Sequence, residues 1–279
     1  MIDKIALPHT SCSFSALSLG TVKFGRDASV KYPQQFTLPA DTELQYLLAQ
    51  CIELGITTFD TAPAYGLAEE RLGQMLNAQF IAGQRHKIEI ISKAGESYSN
   101  KQDKSYYNYS VEALNQQLDH SLQLLNTDYL DCWMLHSNGE DVKNLSDEVI
   151  QCLLDAKQAG KVKSVGLSGK TVDGGIRALT YLDTLMMTRN LQYQEEDSLL
   201  AVAEQLNKKV FLKKIFNSGW IVNTDNDTQT MNKADAMQQT FQHCFNSPQI
   251  CSAVLGTINP KHLIENVNAW QAATDYSGL

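Results

Sequence analysis

Apolar residues recur along this chain in two alternating textures. Short β-rich runs end in a small or polar residue, and longer stretches carry their apolar residues at helical spacing. "DTELQYLLAQCIELG" sets Leu44, Leu47, Leu48, Cys51 and Ile52 on one helical face. Asp41 is its expected N-cap and Gly55 its stop. "ITTFDTA" then reads as a strand. "SVEALNQQLDHSLQLLN" repeats the helical face with Val111, Leu114, Leu118, Leu122 and Leu125, and "YLDCWMLH" is again a strand. "SDEVIQCLLDAKQAG" predicts a helix from Ser146 to a stop at Gly160, followed by the strand "KVKSVGLSG". Carried through the chain, the alternation gives eight units, with strands ending near Gly20, Asp60, Lys93, His136, Ser168, Thr188, Ile215 and Gly256. Eight strand–helix units within 279 residues predict an α/β chain closed into a (β/α)8 TIM barrel, a single domain over residues 1–279. A doubly wound sheet would carry a glycine-rich phosphate loop after its first strand. "LGTVKFGRD" has no such loop. "GRDASVKYPQQFTLPA" and "NSGWIVNTDNDTQTMNK", after the first and seventh strands, are long loops, and in a barrel they fall on the face where substrates enter.

Composition narrows the partners. An apolar fraction of 43% is ample for a packed core, and a net charge of −8 argues against nucleic acid. No window is long and apolar enough to span a membrane, and the N-terminus lacks the uninterrupted apolar segment of a secretory signal. Cys12, Cys51, Cys132, Cys152, Cys244 and Cys251 form no C-x-x-C pair and no regular framework. They read as reduced core thiols of a cytoplasmic protein. The histidines show no metal-binding spacing.

The polar residues at strand ends carry the chemistry. Asp60 and Tyr65 follow the second strand, Lys93 ends the third and His136 the fourth. Successive strand ends of a barrel lie side by side on one rim, so the four converge. A phenol keeps its proton at neutral pH, and a nearby ammonium stabilises the phenolate. A carboxylate paired with that ammonium keeps it charged when buried. A neutral imidazole helps aim a carbonyl oxygen. The set suits a general acid that protonates a developing alkoxide. No side chain supplies a hydride, so a nicotinamide cofactor is implied.

"FDTAPAYG", "ISKAG", "LDCWMLHS" and "VLGTINPKHLIEN" resemble, in order and spacing, the motifs of the aldo-keto reductases, over a stretch from about Leu17 to Trp270. The resemblance implies an NAD(P)H-dependent enzyme that reduces an aldehyde or ketone to an alcohol, or the reverse. Its cofactor is NADPH, less often NADH, lying extended across the barrel mouth, and its partner is a small carbonyl compound. Tyr65 is then the acid–base residue, tuned by Lys93, which Asp60 steadies, while His136 orients the carbonyl. The cofactor contacts it implies begin with Gly20 and Thr21 at the first strand end. Gly256, Thr257, Ile258 and Asn259 line the adenosine phosphate at a helix N-terminus, with Asn259 as N-cap and Pro260 at N1. His262, Glu265 and Asn266 sit where the family holds the 2′-phosphate and adenine. The family often has arginine at the position of His262, and Lys261 is the neighbouring cation here. Ser168, Gly169 and Met186 fall where the family holds the nicotinamide carboxamide with Ser-Asn and Gln, so Gly169 and Met186 are departures. Lys213 and Lys214 replace an aromatic region after the seventh strand. One of them is expected at the pyrophosphate, the alternative being solvated rim lysines.

Two other classes compete. "SVGLSGKT" imitates a P-loop, but Ser164 stands where its first glycine belongs, and the segment is the fifth unit of the chain. A cofactor-binding barrel acting as a regulator or sensor, with little turnover, is the second alternative. No G-x-S-x-G elbow is present.

Overall fold

The structure is a computed structural model that describes residues 2–30, 32, 35–76, 85–221 and 232–275. Its strands are β1 (Lys4–Ala6), β2 (Ser13–Ser15), β3 (Leu17–Gly20), β4 (Thr58–Asp60), β5 (Glu89–Ala94), β6 (Glu96–Ser99), β7 (Lys104–Tyr107), β8 (Cys132–His136), β9 (Val165–Ser168), β10 (Thr184–Thr188), β11 (Lys209–Lys213) and β12 (Ile250–Leu255). Its helices are α1 (Val22–Gly25), α2 (Asp41–Leu54), α3 (Ala68–Met75), α4 (Val111–Leu125), α5 (Asp141–Asn144), α6 (Asp147–Gln158), α7 (Val172–Tyr181), α8 (Ser198–Gln205), α9 (Lys233–Cys244) and α10 (Pro260–Asp275). Strands β3, β4, β5, β8, β9, β10, β11 and β12 pair in parallel and close into a barrel in that order. These are the eight strands the apolar runs predict.

Each strand is short because each is a buried apolar run cut off by a polar rim residue. In β4 all three residues are buried, and so are all six of β5. The helices pack outside against the same core through Leu44, Leu47, Leu114, Leu118, Leu153 and Leu179. Their ends follow local chemistry. Ser110 and Ser146 accept hydrogen bonds from Ala113 N and Val149 N at the starts of α4 and α6. Gly55, at φ 88°, takes the left-handed turn that stops α2.

Several local expectations need correction. Asp41 is the first residue of α2, not its cap; Ala40 holds the cap position, and its N–H donates to the Glu43 carboxylate at 2.7 Å. A residue with no side-chain acceptor serves there because Glu43 reaches back to it. Val111 is exposed, because it opens α4 before the helix has turned onto the barrel. Two hairpins add to the eight units. The β1–β2 pair brings Leu7 and Phe14 onto Ile91, Cys132, Met134, Met186, Phe211 and Cys251 inside the barrel. The β6–β7 pair rises from the mouth directly after β5. Of the two long loops, residues 31, 33, 34 and 222–231 lie outside the described residues. Among the described residues, no helix is long and apolar enough to cross a membrane.

Candidate active site

Strand β4 ends at Asp60, and three residues later the chain enters a tight 3-10 turn, Pro63–Tyr65, that lifts the phenol over the mouth. Pro63 presets the turn and Gly66, at φ 65°, ends it. A side chain on Gly66 would run into the carbonyl of Gly25, so the turn packs on α1. Lys93 comes from the neighbouring β5 and is 1% exposed. Its ammonium donates to Asp60 Oδ1 at 2.6 Å, to the Thr61 carbonyl at 2.9 Å and to Tyr65 Oη at 3.2 Å. His136 ends β8, and its ring meets the Tyr65 ring edge-on, with centroids 6.2 Å apart. Four residues from three strand ends thus gather on one rim.

The electrostatics differ from the simple expectation that Lys93 pulls the Tyr65 phenol below its ordinary range. Burial first, and then the Asp60 and Glu96 carboxylates, push the Tyr65 phenol well above the usual tyrosine range. Burial also raises Asp60, against the opposing pull of Lys93. His136 is held well below the usual histidine range by burial, and then by Lys93, Lys213, Lys170 and Lys214. At neutral pH the mouth therefore holds a protonated phenol and a neutral imidazole. The ammonium only donates, so it takes a lone pair of the phenol oxygen and leaves the phenolic proton to point away from it.

Sequence reasoning missed two residues here. Glu96, buried at the start of β6, brings Oε2 to 3.1 Å from His136 Nδ1. Tyr109 donates its hydroxyl to the His136 carbonyl at 2.9 Å. Tyr109 packs where a side chain on Gly95 would lie, and Gly95 turns at φ 100° to admit it. The visible signal was the glycine after "SKA", which marks a turn at the strand end.

Further round the mouth, His136 pairs in register with Ser168, and Ser168 with Met186. Lys213 reaches across from β11, donating to Ser168 Oγ at 3.0 Å and to the Gly169 carbonyl at 2.6 Å. Burial draws its ammonium down to about 7, against the pull of Glu196. Lys213 is thus a built-in part of the rim, whereas Lys214 is exposed and bends at φ 55°. Met186 is 1% exposed and belongs to the inner apolar cluster with Phe14 and Phe211. Gly20 and Thr21 are buried at the end of β3, and the Thr21 hydroxyl donates to the Asp60 carbonyl at 3.0 Å.

Gly256, Thr257, Ile258 and Asn259 form the loop between β12 and α10. Thr257 Oγ1 accepts from Asn259 N at 3.1 Å and Asn259 Oδ1 from Lys261 N at 2.9 Å, which fixes the helix entry at Pro260. His262 and Glu265 are exposed on α10, and Glu265 pairs with Lys233 of α9 at 2.6 Å, a cation that sequence reasoning did not place here. Asn266 donates to the His262 carbonyl, while its buried Oδ1 has no hydrogen-bond partner among the described residues.

The P-loop imitation is explained by Asp141, 1% exposed at the start of α5. Its Oδ2 accepts from Lys170 N at 2.7 Å, Thr171 N at 2.8 Å and Thr171 Oγ1 at 2.9 Å, and its other oxygen from Ser137. The amides that would cradle a phosphate already hold a carboxylate of the chain itself. Among the described residues, no group of three or more histidine, cysteine, aspartate or glutamate side chains could hold a metal ion.

The aldo/keto reductase family model matches residues 16–249. A crystal structure of a candidate aldo-keto reductase from Pseudomonas aeruginosa is similar at 38% identity and a TM-score of 0.82, covering 97% of this chain and 95% of that one. An uncharacterized oxidoreductase, YqkF of Bacillus subtilis, is 33% identical over 44% of this chain and 38% of its own length. The L-galactose dehydrogenase of Arabidopsis thaliana is 29% identical over 62% of this chain and 50% of its own. The chain thus spans half or less of these two curated relatives.

Proposed function

The chain belongs to the aldo/keto reductase family, and from that premise we propose that it interconverts an aldehyde or ketone and the corresponding alcohol with a nicotinamide cofactor, NADPH ahead of NADH. The observation that carries the reading is the buried Lys93 ammonium joining Asp60 and Tyr65 on the rim. When bound, the cofactor supplies or accepts a hydride at the carbonyl carbon. Tyr65 holds the proton that the carbonyl oxygen takes up, and Lys93 stabilises the phenolate left behind. Asp60 keeps Lys93 charged and in place. His136, on the adjacent rim, hydrogen-bonds the substrate oxygen.

The residues present fit such a cofactor. The Asn266 Oδ1, without a partner among the described residues, would accept an amino group such as that of adenine, and a side chain begun at Gly256 would meet the Tyr32 hydroxyl, at 3.7 Å. Thr257, Ile258 and Asn259 would line the phosphate there, with His262 and Lys261 near a 2′-phosphate. Lys213, Ser168 and Gly169 would face the nicotinamide end, in place of the amide side chains common in the family. Met186 and Thr21 would contribute shape, while Gly20 makes room for the Val254 side chain beside it. We read the chain as one catalytic barrel of the cytoplasm, consistent with six free, buried thiols.

The test is cofactor oxidation against a panel of aldehydes, aldoses included because one relative is named a sugar dehydrogenase. Tyr65→Phe removes only the acidic proton. It is expected to cut turnover on the order of 100-fold or more with cofactor binding nearly intact. A variant as active as the wild type on a good substrate would remove Tyr65 from the role. Tight cofactor binding with no turnover on any carbonyl would favour a regulatory barrel.

A further inference from the structure

We propose that Lys213 tells the two oxidation states of the nicotinamide ring apart: its ammonium opposes the cationic oxidised ring and so favours the reduced cofactor, and the bias ends when the lysine loses its proton. The inference rests on the reading of the rim around Tyr65 as the place of hydride transfer.

Two lysines reach across strand ends at the mouth, and they differ in their partners. Lys93 meets three oxygens, one of them a carboxylate's. Lys213 meets two, Ser168 Oγ at 3.0 Å and the Gly169 carbonyl at 2.6 Å, and both are neutral. Glu196, the carboxylate that acts on Lys213 through its charge, accepts instead from Thr188 N at 3.1 Å. An ammonium carries three hydrogens and an amine two. The pair of acceptors at Lys213 therefore suits the amine as well as the ammonium, whereas the set around Lys93 suits the cation. Burial draws the Lys213 ammonium down to about 7, against the pull of Glu196.

The place of Lys213 follows from the strands. Ser168 pairs in register with His136, so the ammonium bonded to Ser168 stands one strand away from the imidazole. Its charge lowers the proton affinity of both His136 and Asp60. A ring that passes a hydride to a carbon whose oxygen takes the Tyr65 proton lies within van der Waals reach of that carbon, and so in the same field. The oxidised ring carries a positive charge and the reduced ring none. The rest of the two cofactors is the same, so the ratio of their affinities isolates the field at the ring. The charged and titratable groups around Lys213 are Glu196 after β10, Lys214 after β11, Lys170 after β9, Lys93 of β5, Asp60 of β4 and His136 of β8. Asp141 is bonded to Lys170 N, and Glu69 of α3, acted on by Lys93, is the other group brought to about 7. Below about pH 7 the ammonium is present, and NADP+ is held less well than NADPH. Above it the amine is uncharged and the bias falls. By reciprocity, NADP+ binding near pH 7 drives a proton off, and NADPH binding does not.

The experiment is calorimetric titration of the full chain with NADPH and with NADP+ from pH 6 to 8.5, in two buffers of different ionisation heat. The affinity ratio in favour of NADPH is expected to fall about tenfold over that range, the size of two unit charges several ångströms apart in a partly buried site. Proton release near pH 7 is expected with NADP+ alone. Lys213→Met keeps the length and removes the charge. It is expected to hold the ratio near the wild-type value at pH 8.5 throughout and to abolish the proton release. A wild-type ratio that does not change with pH overturns the proposal. So does a dependence that survives in Lys213→Met, which would move the effect to Glu69. Equal loss of both cofactors in that variant also overturns it and places the lysine at the pyrophosphate. Should Lys213→Met not fold, a dependence that persists in Glu69→Gln upholds the proposal, and one that vanishes there overturns it. A chain that binds neither cofactor fails the proposed function as well, whereas one that binds both with a flat ratio leaves that function standing.

Discussion

The Lys93 ammonium carries three hydrogens and meets three oxygens, those of Asp60, Thr61 and Tyr65. A lysine 1% exposed is stable as a cation only with such complete satisfaction. Removing it acts in one direction on the phenol. Lys93→Met takes away the ammonium that touches the Tyr65 oxygen, while burial and the Asp60 and Glu96 carboxylates still oppose the phenolate. The basic limb of the pH profile for alcohol oxidation is expected to move up, with turnover lower on the order of 100-fold. A limb that stays in place with much of the rate retained would show that Lys93 does not act on Tyr65 through charge. The four rim residues were legible in sequence because each lies at or just after the polar end of an apolar run. Glu96 was not. It meets a histidine forty positions on only because Gly95 folds the chain back over the mouth, and nothing in the periodicity of "ESYSN" says which way that hairpin leans.

At the scale of elements, the eight barrel strands were legible because full burial leaves unbroken apolar runs. The β1–β2 hairpin was not, since only Leu7 and Phe14 of that polar-looking stretch enter the barrel. Helix α3 hides a less visible feature. In "AEERLG" Glu69 is 1% exposed, accepting from Ser92 at 2.5 Å and Ser121 at 3.1 Å. Burial raises its carboxyl to about 7. The sign follows from proton counting. The folded chain holds this proton where the unfolded chain, with an ordinary carboxyl, has lost it. The stability tied to it is complete below the ordinary glutamate range and is lost as pH rises through about 7. Glu69→Gln keeps a neutral hydrogen-bonding group at every pH. Its stability relative to the wild type is therefore expected to improve by roughly 2 to 3 kcal/mol between pH 5 and pH 8. Urea unfolding of both proteins at the two pH values measures this difference, and a difference independent of pH would mean that Glu69 ionises freely in the fold.

Across the whole molecule, a chain of net charge −8 collects cations at the entry of α10. Lys23 of α1 and Lys233 of α9 lie close enough to His262 to lower its proton affinity, although burial is the larger cause. Lys261 is the neighbouring residue. The sequence offered His262 and Lys261 as the local cations, because they share one helix. Lys233 was illegible there, since α9 and α10 meet only in the fold. In the proposed function two kinds of charge would thus face a 2′-phosphate, fixed lysines and a titrating histidine. On the proposed reading the fixed charges are expected to give a preference for NADPH over NADH at pH 8, and the preference is expected to strengthen as pH falls toward 6 and below. The change comes late because His262 sits below the usual histidine range. His262→Arg is expected to strengthen NADPH binding and flatten the pH dependence, with little effect on NADH. Lys233→Ala, which also frees Glu265 from its 2.6 Å pair, is expected to weaken NADPH about tenfold and leave NADH nearly unchanged. Cofactor titration by fluorescence quenching from pH 8 to 5.5 reads all three proteins. A flat wild-type ratio, together with variants that bind both cofactors like the wild type, would place the phosphate away from α10.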